Sequence, residues 1–185
     1  MGLLADVAGL RGNWLVPDRK GTRAAPMRGA PSTAAIFGHP IHPMIVPYPI
    51  AFLTTALATD LAAKATGDRF RARTSRWLLE AGIASGAAAG AVGAIDYFTI
   101  RRAREARAGR LHAHGNPIAL ALAAANLATR RDDRVPGTAA IAMTAATVAI
   151  LGVTAWAGGE LSYTHMVGVR GEGDQMTHEE KRHAP

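Results

Sequence analysis

The chain has no cysteine, and only 5% of its 185 residues are aromatic. Without thiols it can form no disulfide, no thiolate-held iron–sulfur cluster and no haem attachment through a C-x-x-C-H motif. Any cofactor must therefore be held non-covalently, with histidine and carboxylate as the available ligands. Also missing are a nucleophilic triad, a phosphate loop, a dinucleotide fingerprint and a zinc-protease motif, which leaves hydrolase or transferase chemistry unsupported. The most informative gap is in charge: positions 29–59, 81–95, 111–129 and 135–159 contain no Asp, Glu, Lys or Arg. A soluble helix bundle would carry a charged stripe on each helix at the 3.6-residue period, and these runs carry none on any side. The net charge of +7 does not indicate a nucleic-acid binder either, because the basic residues sit between the apolar runs and form no continuous stripe.

What the sequence does contain is 49% hydrophobic residues, much of this alanine, in runs close to the roughly 20 residues that cross about 30 Å of hydrocarbon. These runs predict an all-α integral membrane protein, a four-helix up-and-down bundle with spans at about 44–63, 77–100, 111–129 and 136–161. Pro43 opens the first span, where a missing N–H is harmless, and Pro47 and Pro49 should distort its first turns. Gly82, Gly86 and Gly90 recur every fourth residue along the second, a smooth groove for close helix packing that could also dock a second copy of the chain. The third is expected to start near Leu111 with Pro117 as a kink, and the fourth at Pro136. Residues 1–36 read as a cytoplasmic or interfacial segment. Within it, Leu3, Leu4, Val7, Leu10 and Trp14 at helical spacing suit either a surface helix or a frayed start. The segment lacks the basic n-region of a signal peptide. The hydrophilic tail 170–185 reads as disordered, so His178 and His183 carry no functional weight.

Four spans place both termini on one side. That side collects 13 Lys or Arg (residues 1–38, 101–110 and the tail) against 8 on the other (64–76 and 130–134), which favours cytoplasmic termini in a bacterial inner membrane. Alternating helix direction then brings His39, His42, Asp96, Tyr97, His112, His114, Glu160, Tyr163 and His165 to one membrane face, with Asp60 and Glu80 at the other. Ionisable groups at membrane depth cost roughly 2.5 to 3.5 kcal/mol at mid-helix, so a converging set is a candidate site. Interfacial anchoring, with Asp96 or Glu160 merely paired to Arg101 or Arg102, is the plain alternative.

In GHPIHPMIVPYPI, His39 and His42 each precede proline, which predicts extended backbone and a separation of roughly 9 Å, too far to share one ion. Each should find its partner on another helix, with His112 and His165 as candidates. Two chemistries fit. A b-type haem would take axial ligands from His42, His112, His165 or His39, whereas a transition-metal ion would combine His42, His112 and His165 with Asp96 and Glu160, the same residues also suiting a proton site; a structural anchor or assembly subunit without cofactor is the further alternative.

Three ordered motifs, GHPIHPMIVPYPI followed by Asp60, AVGAIDYFTI and WAGGELSYTHMVGV, resemble an uncharacterised bacterial family of four-span membrane proteins over about residues 37–169. His112-x-x-x-Asn116 is a fourth, weaker match. The resemblance implies a membrane fold and a role near electron transfer. Members occur alone or joined to Rieske-type iron–sulfur domains, which implies that this cysteine-free chain would work with a separate redox protein.

Overall fold

The computed structural model describes residues 28–130 and 134–171. The expected surface helix at 1–15 and nearly all of the hydrophilic tail lie outside the described residues. The elements in chain order are β1 (Ala30–Pro31), β2 (Ala35–Ile36), β3 (His39–Pro40), α1 (Ile41–Ile45), α2 (Pro47–Thr66), α3 (Arg69–Thr99), α4 (Arg101–Glu105), α5 (Arg107–Thr129), α6 (Thr138–Tyr163) and β4 (Val167–Gly168). β2 and β3 form an antiparallel hairpin, and β1 pairs in parallel with β4, so the segment before the first helix meets the segment after the last.

Proline shapes the first helix more strongly than expected. Val46 separates α1 from α2, and Pro47 and Pro49 then stand in the first turn of α2, where N–H groups have no intrahelical partner. His39 is extended in β3, as its following proline predicts, but His42 is helical in α1, contrary to expectation. Pro43 is tolerated after it because both residues lie within the helix's first turn.

The second helix begins eight residues earlier than expected, at Arg69. Gly67 ends α2 in the left-handed conformation at φ 70°, and the side chain of Asp68 accepts the Phe70 N–H at 2.8 Å to cap α3. The link between them is thus two residues long, and the basic stretch RFRARTSR is helix, not loop. At 31 residues α3 extends roughly 46 Å, beyond the thickness of the hydrocarbon. The expected start of the third helix at Leu111 also moves back, to Arg107, and Pro117 lies inside α5.

Among the described residues, three helical stretches are long and apolar enough to cross a membrane: Ile41–Thr66, Arg69–Thr99 and Thr138–Tyr163. α5, with 23 residues, packs beside them. α2 contacts α3 and α6, and α5 contacts the same two, which sets α2 and α5 diagonally opposite. Neighbouring helices run antiparallel: Asp60 lies by Ser75 while Leu53 lies by Gly82, and Asn126 lies by Thr144 while Asn116 lies by Thr154.

The distribution of polarity is inverted relative to a soluble bundle. Asp60, Ser75, Asn126, Thr144, Thr147 and Thr154 are buried, together with Leu53, Leu79 and a series of alanines. Tyr48, Leu61, Trp77, Ile95, Ile118, Val153 and Trp156 face outward. With no water beyond the helices, polar side chains bond inside and apolar ones meet lipid.

Candidate functional site

Of the residues predicted to converge, the structure brings two pairs into ring contact, and one of them joins two histidines. His42, in α1, and His112, in α5, approach with ring centroids 5.8 Å apart and planes at 85°. His42 Nδ1 is 2.9 Å from the carbonyl oxygen of Ala89 on α3, and His112 Nδ1 is 2.8 Å from that of Thr154 on α6. A carbonyl only accepts, so each Nδ1 carries a proton and makes that bond, and each Nε2 is the ring nitrogen not engaged by it.

Glycine makes both contacts possible. A Cβ at Gly93 would stand 2.9 Å from His42 Nδ1, and one at Gly158 would stand 3.0 Å from His112 Cε1. Each glycine lies one turn beyond the carbonyl its histidine bonds, clearing the ring's path to the helix backbone. Asn116 secures the His112 side further: its Nδ2 donates to the His112 carbonyl at 2.9 Å, and its Oδ1 accepts from Thr154 Oγ1 at 2.7 Å.

The two arrangements are internal counterparts. One constant shift in numbering carries His42 onto His112 and the inward-facing Pro49, Leu53, Ala56 and Asp60 of α2 onto Ala119, Ala123, Asn126 and Arg130. A second shift carries Leu79, Gly82, Gly86, Ala89 and Gly93 of α3 onto Thr144, Thr147, Leu151, Thr154 and Gly158 of α6. The bundle is therefore two equivalent hairpins, α2–α3 and α5–α6. Equivalent residues can touch only near the axis relating the hairpins, and two such pairs do: His42 with His112 at one end, Asp60 with Arg130 at the other.

A cavity of about 60 Å³ adjoins the histidines, walled by Gly86, Ala89 and Gly90 of α3 and by Leu120, Leu151 and Thr154. The rest of the predicted set lies apart from it. His39 is exposed on the hairpin. Asp96 is engaged elsewhere: Oδ2 accepts from Ser32 Oγ at 2.7 Å, and Oδ1 accepts from the N–H groups of Thr33 and Ala34 at 2.8 and 3.2 Å, which fastens the loop before the hairpin to the end of α3. His165 follows α6, its N–H bonded to the Glu160 carbonyl at 3.2 Å and its own carbonyl to Arg102 at 3.2 Å. Glu160 is half-buried in the last turn of α6, and His114 meets Tyr97 at 6.3 Å between ring centroids. The alternative pairing of Asp96 or Glu160 with Arg101 or Arg102 does not form; Arg101 pairs with Glu105 at 3.3 Å. Among the described residues no group of three or more His, Asp or Glu is placed to hold a metal ion. The five-residue metal set therefore separates into a histidine pair and three residues at other positions.

The sequence model of a family described as Predicted membrane protein (DUF2231) matches residues 38–171. The chain belongs to that family. The DUF2231 region of this chain contains both helical hairpins, both histidines and β4. No curated protein and no solved structure matches the chain.

Two parts of the geometry were not anticipated. One is the anchoring partners of the histidines, Ala89, Thr154, Gly93 and Gly158, whose only sequence signal was the repeat that relates the hairpins. The other is the cluster at the far end. Arg130 donates to both oxygens of Asp60 at 2.6 Å, Ser75 and Thr144 bond the same carboxylate, and Asn126 bonds Thr144 at 2.8 Å. Its signal was present in the sequence as a lone Asp60 and Arg130 at the edges of uncharged runs.

Proposed function

We propose that the chain is a small integral membrane redox protein in which His42 and His112 are the axial ligands of a b-type haem. α5 serves as the fourth span of an up-and-down bundle in the bacterial inner membrane, with both termini cytoplasmic. The supporting observation is the matched pair of imidazoles, offered from diagonal helices, each with Nδ1 committed to a carbonyl and Nε2 available.

The number of ligands favours haem over a bare ion. A haem iron takes four nitrogens from its macrocycle and needs only two from the protein, whereas an ion alone needs three or four. Two imidazoles on opposite sides of one metal at about 2.0–2.1 Å place their ring centres roughly 6 to 6.5 Å apart, so the rings, 5.8 Å apart here, must separate slightly to admit an iron between them. The cavity of about 60 Å³ is smaller than a macrocycle, so the bundle as packed here does not accommodate one, and binding requires the helices around the cavity to open. When bound, the group supplies one-electron exchange. The protein fixes the ligand rings through the Ala89 and Thr154 carbonyls and excludes water with its apolar walls. Electrons would pass to a separate Rieske-type or other redox protein.

The test is the absorption spectrum of the chain purified in detergent, before and after haem addition. A Soret band is expected in the wild type and should be lost in both His42→Ala and His112→Ala; no band in the wild type under either condition overturns the reading. The small cavity supports a second reading, a transition-metal ion or proton site on the same histidines. Stoichiometric metal without porphyrin in elemental analysis would establish the metal form.

A further inference from the structure

The hairpin ahead of α1 has a feature that folding alone does not account for. Its two-residue turn, Phe37-Gly38, has φ of 51° and 79°, the pattern of a type I′ turn, in which glycine and asparagine are favoured. A phenylalanine there costs about 1 to 3 kcal/mol of backbone strain. Among the described residues it gains no packing in return, since Phe37 is 98% exposed and the neighbouring Ile36 is 55% exposed. A strained aromatic presented outward calls for a contact beyond the described residues.

Behind the turn lies a cavity of about 310 Å³, lined by Pro31, Ser32, Ala35, Gly38, Val169 and Arg170 among others. Arg170 is its charged wall, with the guanidinium reaching Gly38: a Cβ placed on that glycine would stand 3.0 Å from an Arg170 nitrogen. No acid neutralises it among the described residues. The Asp96 carboxylate is filled by Ser32, Thr33 and Ala34. Arg102 stands nearby, bonded to the carbonyls of Arg28 and His165. Because Asp96 ties the loop to the last turn of α3, both the cavity and the aromatic tip are held at the end of α3 where its uncharged run stops.

We infer that this hairpin and Arg170 bind an anionic phospholipid, the headgroup phosphate resting against Arg170 and the acyl region against Phe37 and Ile36. An amphiphile matches both halves of the site: a guanidinium favours a phosphate, and an aromatic at the rim favours the boundary between headgroup and acyl chain. Free phosphate would satisfy only the cationic half.

Native mass spectrometry of the full chain in detergent, incubated with dioleoyl phosphatidylglycerol or dioleoyl phosphatidylcholine, tests this. Wild type should retain the glycerol lipid over the choline lipid by about fivefold, the scale of one arginine near an anionic surface. Arg170→Ala should lose that preference and Arg170→Lys should keep much of it, while Phe37→Ser should lower retention of both lipids. Equal retention of the two lipids by wild type, or an unchanged preference in Arg170→Ala, overturns the inference. So does displacement by millimolar inorganic phosphate with no effect of Phe37→Ser, which would identify a phosphate site. Circular dichroism of each variant verifies that the helices are intact.

Discussion

Asp60 and Arg130 show how a single side chain is accommodated in a bundle of this kind. Asp60 is fully buried, and each of its oxygens accepts from Arg130 as well as from a hydroxyl. A bidentate carboxylate–guanidinium pair with the remaining lone pairs bonded can survive in a low-dielectric interior, whereas either partner alone cannot. Arg130→Ala should therefore destabilise the protein by about 3 to 5 kcal/mol, the scale of breaking a buried pair. Denaturant unfolding followed by helical circular dichroism measures this, and a loss within a few tenths of a kcal/mol would show the pair to be dispensable. The glycines facing the histidines make a second prediction at this scale. Gly93→Ala forces a methyl against His42, and overpacking of this kind costs about 1 to 3 kcal/mol. Gly152, which faces open space in α6, should tolerate alanine and gain about 0.5 to 1 kcal/mol from reduced chain freedom. Thermal melts of the two variants should move in opposite directions.

Between helices, the packing explains the glycine row. A Cβ on Gly82 would lie 2.6 Å from the Leu53 side chain of α2, and one on Gly86 would lie 2.5 Å from that of Leu120 of α5, while Gly90 meets nothing within 4 Å. The first two glycines are thus filled by side chains of the same chain, and the docking face for a second copy expected from the row is internal at those positions. Gly86→Leu should disrupt the fold itself, so aggregation or poor expression of that variant is the expected outcome. A stable, fully folded Gly86→Leu would contradict this packing. Gly82 and Gly86 also mark α3 as the helix against which both α2 and α5 close, just as the corresponding α6 positions Thr147 and Leu151 face the interior.

For the molecule as a whole, the absence of native cysteine permits a direct test of topology. Single cysteines at Asp68 and Arg134 should label from one side of the membrane, and those at Glu105 and Ser32 from the other, with a membrane-impermeant maleimide on cells. Asp68 and Glu105 labelling from the same side would mean that α3 does not cross. Arg134 and Glu105 on the same side would remove α5 as a span. The pairing of β1 with β4 adds a constraint, since the segments before α1 and after α6 must share one face.

The uncharged runs alone dictated helices in a membrane, because lipid leaves a backbone no partner other than itself. The order of those runs also brought the histidines to one end. The sequence did not say which of the nine polar residues there would meet. His39 and His42 both precede proline, yet only His42 turns inward, because the first turn of α1 tolerates Pro43 and Gly93 opens the way to a carbonyl. Asp96 looked like a ligand and became a fastening for the loop before the hairpin, because four donors from that loop reach it first. Hydropathy fixes depth and direction along the membrane normal, whereas rotation about each helix axis depends on which small residues allow close approach. Only the packed bundle decides the latter, and the contact between His42 and His112 depends on it.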